Sequence, residues 1–242
     1  MVAVQFLTRL PVPAIPDYKP WYLDGAARYF PAVGLMVGAI SAGVLWAASQ
    51  IWPAPVPAIL AVAAGIAITG AFHEDGLADF FDCLGGQTPD ARLTIMKDSR
   101  LGTFGTLALG VVVALKIAAL SALPLAAAML ALLSAHAVAR LAALCAIPFM
   151  PYAADVQTAK AAPLLAAIRP GRLAFAALFA ILPLLWLPPA NLAVGLLATV
   201  AATAVLIRQA NRLLGGYTGD VLGAIEQTVE VVLLLSLSAS LA

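Results

Sequence analysis

The chain has 242 residues, 63% hydrophobic and 10% charged, with a formal net charge of +1. Soluble domains carry roughly 25% charged residues, so a mean hydropathy of +1.01 excludes a water-facing exterior and makes the lipid bilayer the fitting solvent and partner. The balanced charge excludes a nucleic-acid partner, and Cys83 and Cys145, far apart and without metal-ligand spacing, exclude a disulfide framework and read as small apolar fillers.

A spanning helix needs about 20 largely apolar residues. The first apolar stretch, residues 1–7, runs into Arg9 and Pro11 and is too short for a cleavable signal. The segment before Phe30 is expected along the interface. Residues 30–51 are uncharged and long enough to cross. Pro53, Pro55 and Pro57 then turn the chain, and residues 58–72 follow, also uncharged, with a pattern that continues helically past the membrane edge. Residues 104–123 form a third span interrupted by Lys116, and residues 125–149 a fourth containing His136 and Arg140. Residues 173–187 are short and contain Pro183; Pro188 and Pro189 turn the chain, and residues 191–207 return. The last span, residues 220–242, reaches across only if it includes Glu226 and Glu230. The expected fold class is an all-α polytopic transmembrane bundle in one domain, residues 1–242, with about seven spans.

Lys and Arg set the orientation. Arg9, Lys19 and Arg28 precede the first span; Arg92, Lys97 and Arg100 separate the second from the third. Lys160, Arg169 and Arg172 lie between the fourth and fifth, and Arg208 and Arg212 between the sixth and seventh. The turns near Pro55, Pro124 and Pro189 carry no charge. The amino terminus and the long loops are therefore expected inside, and the carboxyl terminus outside.

The chemistry-bearing residues fall in the inside loops. In residues 73–82, HEDGLADFFD, Asp75, Asp79 and Asp82 are spaced i, i+4, i+7, one narrow carboxylate stripe on a helix. Three stacked like charges repel, and a hard divalent cation with oxygen ligands would offset this; a solvated helix end would mix in Lys instead. His73, beside Glu74, is a candidate for proton transfer. In residues 215–230, glycines permit close approach to a ligand, Thr218 or Asp220 can cap the last helix, and Glu226 and Glu230 are spaced i, i+4. Carboxylates at that depth must face the bundle interior. In residues 95–105, Lys97 and Arg100 sit beside Ser99 and glycines, a setting suited to phosphate. Lys116 lies about 18 Å beyond Phe104 at 1.5 Å per residue, too deep to snorkel and expected to pair with an acid or a phosphate. Arg140 is a candidate for the same role or for snorkelling to the inner face, and His136 one turn away reads as structural. Metal carboxylates beside phosphate-binding cations at a membrane edge point to transfer from a pyrophosphate donor.

Several stretches carry a family resemblance: residues 6–13, FLTRLPVP; 28–35, RYFPAVGL; the acidic run 73–82 with Gly85 and Gly86; 95–105; and 215–230. With these the chain resembles the cobalamin synthase family, the adenosylcobinamide-GDP ribazoletransferases. The resemblance implies a Mg²⁺-dependent enzyme of the bacterial inner membrane with its site facing the cytoplasm. Its substrates would be adenosylcobinamide-GDP and α-ribazole or its 5′-phosphate. The ribose 3′-hydroxyl would attack the phosphate on the aminopropanol arm, GMP would leave, and adenosylcobalamin or its 5′-phosphate would form.

On this reading Asp75, Asp79 and Asp82 bind Mg²⁺ with Glu74 as a supplementary ligand. Lys97 and Arg100 hold the diphosphate, and Asp82, or His73 behind it, is the general base. Arg9, Ser99, Lys116, Arg140, Thr218, Asp220, Glu226 and Glu230 complete the substrate side. A homo-oligomer is left open. The competing readings are a CDP-alcohol phosphotransferase or UbiA-like prenyltransferase, told apart by which leaving group is released, and a divalent-cation transporter, told apart by flux without product.

Overall fold

A backbone segment in lipid must satisfy its own N–H and C=O groups, and the helix does this within one segment. The computed structural model describes residues 1–13, 15, 19, 21–153 and 169–239, and each of the seven apolar segments is helical there. Lys160 and residues 240–242 of the expected last span lie outside the described residues.

Short helices α1 (Val2–Leu7) and α2 (Trp21–Ala26) lead into α3 (Phe30–Ser49). Helix α4 (Val56–Thr69) is followed by α5 (Phe72–Asp82), the short α6 (Pro89–Ile95), α7 (Thr103–Ala122) and α8 (Leu125–Ala146). Helices α9 (Pro170–Leu184), α10 (Pro189–Leu214) and α11 (Gly219–Ser238) complete the bundle. Prolines sit in the first turns of α3, α4, α6, α9 and α10, where a missing N–H costs nothing.

Seven spans, give or take one, are expected from the sequence, and the upper count in the structure falls within that range. Five helical stretches are long and apolar enough to cross, and six if the bent pair α4–α5 counts as one. At 1.5 Å per residue the 14 residues of α4 and the 15 of α9 reach only about 21 and 23 Å of a roughly 30 Å core.

Helices α8 and α11 are the most buried spans, while α7 and α10 are mostly exposed and form the lipid-facing rim. Helix α3 packs on α8, and α11 packs on α5, α7, α8 and α10. On α3, Gly34 and Gly38 face the backbone of His136 and of Leu132 on α8, the small-xxx-small spacing that lets membrane helices approach closely.

Between α4 and α5 the chain turns by 90°. Gly70 (φ 66°) and Ala71 (φ 57°) make the turn in left-handed conformation. Glycine adopts it freely, whereas Ala71 bears about 1–2 kcal/mol. The turn carries α5 out of the span direction and across the end of the bundle, against α11 and α7. Helix α5 is amphipathic: His73, Glu74, Leu77, Ala78 and Phe80 are buried and Asp75 is exposed. Its aspartates lie at one end of the bundle, beside the starts of α7 and α11.

Candidate active site

Helix α5 meets the first turn of α11 through glycines. A Cβ on Gly76 would lie 2.9 Å from the Asp220 backbone, and one on Gly223 would lie 3.1 Å from the His73 carbonyl. This contact sets Asp220 beside the aspartate stripe. Asp79 is pushed up to about 7, first by burial, then by Asp220, Asp75 and Asp82. Thr218 caps α11, accepting hydrogen bonds from the Asp220 and Val221 amides at 3.2 and 3.3 Å.

Asp82 faces elsewhere. Its carboxylate accepts hydrogen bonds from the Gly102 and Gly105 amides, both at 2.8 Å, and so caps the start of α7 from outside, where the helix dipole favours negative charge. Asp82→Ala is expected to cost about 1–3 kcal/mol by orphaning those amides, read as a lower thermal midpoint in detergent. An unchanged midpoint with lost turnover would instead put Asp82 in the chemistry.

One cavity of about 650 Å³ gathers most of the expected residues. Arg9, Lys97 and Arg140 line it as bases, and Asp75, Asp220 and Glu226 as acids. His73 and Thr218 also face it, and Phe6, Phe30, Phe72 and Tyr152 supply aromatic wall. Arg9 is held by its amide, which donates to the Ile68 carbonyl at 2.7 Å, and its side chain packs over Gly70. His73 Nε2 lies 2.7 Å from Glu226 Oε2.

Behind the cleft is a buried ionic network around a chamber of about 20 Å³. Lys116 Nζ donates to Glu230 Oε2 and to Gln227 Oε1, both at 2.6 Å. His136 Nδ1 is 2.6 Å from Glu230 Oε1. Arg140 Nη1 is 3.0 Å from Glu226 and 3.5 Å from Glu230, and Arg140 is only 1% exposed. Lys116 thus pairs with an acid. Glu74 lines the chamber, with its buried Oε2 unpartnered. Ser99 and Arg100 stay in an exposed turn, where Arg100 Nη2 pairs with Asp98 at 2.6 Å.

Sequence reasoning gave no role to Gln227 or to the aromatic wall, and it read His136 as structural. The signals were present: His136 stands one turn before Arg140, and Phe6 and Phe30 fall within the stretches that carry the resemblance. Among the described residues no three His, Cys, Asp or Glu side chains converge as a ready ion cage. Mg²⁺ takes one or two carboxylates together with substrate phosphates, so the crowded Asp75, Asp79 and Asp220 fit such a shared ion without a closed cage.

The bundle and its edge cleft, lined by both acidic and basic side chains, define a polytopic helical membrane protein built to handle a charged ligand. The family model described as cobalamin-5-phosphate synthase matches residues 1–238. A relative from Leptothrix cholodnii, named adenosylcobinamide-GDP ribazoletransferase, is 43% identical over 95% of this chain and 90% of its own. Relatives of the same name from Ralstonia nicotianae and Shewanella frigidimarina are 42% and 40% identical, over 98% and 95% of this chain and 93% and 90% of theirs. No solved structure matches. The chain belongs to the cobalamin-5-phosphate synthase family.

Proposed function

We propose that the cleft performs the ribazole transfer for which its relatives are named. It would join adenosylcobinamide-GDP to α-ribazole or its 5′-phosphate at the cytoplasmic face of a bacterial inner membrane. The observation that carries the reading is one cavity lined by Arg9, Lys97 and Arg140 together with Asp75 and Asp220, in a chain that matches the family over residues 1–238.

A volume of about 650 Å³ is mid-range for small-molecule sites. It suits the reacting phosphates and an aromatic base, and the corrin ring must stay at the mouth. Arg9 and Lys97 bind the diphosphate and stabilise the charge that develops on it. Phe6, Phe30, Phe72 and Tyr152 offer stacking faces to planar rings. Asp75, Asp79 and Asp220 would hold Mg²⁺, which when bound supplies charge neutralisation to the diphosphate. Asp82 and Glu74, also expected as ligands, are turned toward α7 and the inner chamber.

Geometry favours His73 over Asp82 as the base. His73 faces the cleft with Glu226 behind one nitrogen, and Nδ1 makes no hydrogen bond among the described residues. As the 3′-oxygen bonds to phosphorus and the bond to GMP breaks, His73 takes the hydroxyl proton and Glu226 steadies the imidazolium.

The test is turnover by purified protein in lipid, with both substrates and with or without Mg²⁺, following GMP and the corrinoid product. His73→Gln is expected to lower kcat by about 10²–10⁴-fold with KM nearly unchanged. No GMP from well-folded wild type would sink the reading.

A further inference from the structure

Between α8 and α10 lies a second hollow of about 1010 Å³ that shares no lining residue with the cleft. Val138, Leu141 and Cys145 line it from α8, and Leu196, Val200 and Ile207 from α10. These positions repeat at helical spacing, so each helix gives one apolar stripe. The hollow opens on the exposed side of α10, with Val200 67% exposed.

One end is different. Arg208 and Arg212 lie there, both exposed, and neither forms an ion pair or hydrogen bond with any described residue. Asn211 Nδ2 donates to the Phe149 carbonyl at 3.1 Å and ties the two helices together at this end. Arg92 donates to the Leu213 carbonyl at 3.2 Å, so this is also the end that carries α6. The apolar stripe from Val138 to Phe149 spans about 17 Å at 1.5 Å per residue. One leaflet contributes about half of the roughly 30 Å hydrocarbon core. The groove is therefore one leaflet deep, apolar except for the Thr199 and Thr203 side chains on its α10 wall, and doubly cationic at its membrane-edge end.

We propose that this groove binds an anionic glycerophospholipid, with an acyl chain laid between α8 and α10 and the phosphate held by Arg208 and Arg212. Unpaired arginines at the edge of a membrane bundle attract anionic headgroups, and a guanidinium pair suits phosphate oxygens. A free phosphate would leave the apolar length unused. A second copy of the chain would have to bring an acid to Arg208 and Arg212.

Native mass spectrometry of the full chain, released from micelles doped with phosphatidylglycerol or phosphatidylcholine, tests this. Wild type is expected to retain about one phosphatidylglycerol, and the Arg208→Gln/Arg212→Gln variant to lose the preference by about ten-fold or more. Ala204→Trp, which fills the groove, is expected to lower retention of both lipids. If that variant fails to fold, the surface arginine pair alone decides. Equal retention of the two lipids by wild type, an unchanged preference in the arginine variant, displacement by millimolar inorganic phosphate, or a dimer in lipid-stripped protein would each overturn the proposal.

Discussion

Glu230→Ala is expected to destabilise the bundle more than any other single change in its interior network. Glu230 sits in the middle of α11 and receives Lys116 and His136 at 2.6 Å and Arg140 at 3.5 Å. Removing it leaves Lys116 charged, buried and short of its counterion inside the bundle. Breaking a buried pair in this way costs about 3–5 kcal/mol, against a total stability of order 5–15 kcal/mol. The measurement is the fraction eluting as a single species in detergent and its thermal midpoint. Lys116→Met on the Glu230→Ala background removes the stranded cation and is expected to recover at least half of the loss. A double-variant cycle isolates that coupling from the volume change. If Glu230→Ala alone melts like wild type, the network does not hold the bundle together.

The same network shows where sequence reading stops. Hydropathy located every long apolar helix, because lipid leaves few alternatives to a helix for an apolar stretch. It did not show where a span bends: the pattern through residues 58–72 reads as continuous, and only the left-handed pair at Gly70 and Ala71 reveals the turn. Periodicity placed Asp75, Asp79 and Asp82 on one stripe, and α5 is helical over all three. A stripe is wide enough to face two neighbours, however. Asp82, at its far end, reaches the amides at the start of α7, while Asp75, one turn from its beginning, faces the cleft. The depth of Lys116 demanded a partner. That the partner is Glu230 depends on the packing of α7 against α11, which no local pattern encodes. Arg100 shows the opposite: beside Lys97, Ser99 and glycines it read as suited to phosphate, but Asp98 two residues away pairs with it locally.

Asp79→Asn is expected to make the protein more stable and much less active. The Asp79 carboxyl is pushed up to about 7 by burial and by the three neighbouring aspartates. The folded state thus binds a proton more tightly than the unfolded chain, whose value is near the ordinary 3.8. Stability linked to this group is fully present below about pH 4 and is lost as pH rises to about 7. Asparagine cannot ionise. The variant should therefore match wild type near pH 4 and melt higher than metal-free wild type above about pH 7. Mg²⁺ should close that gap by raising the wild-type midpoint and leaving the variant's unchanged. Turnover should fall by at least about 100-fold, since even groups behind metal ligands are worth 10–100-fold. A functional site that holds like charges together sacrifices stability for function. Normal turnover by Asp79→Asn, or a Mg²⁺-induced shift as large as that of wild type, would move the ion to other carboxylates. Asp220 and Asp75 are the next to replace, because they alone among the crowded acids also line the cleft.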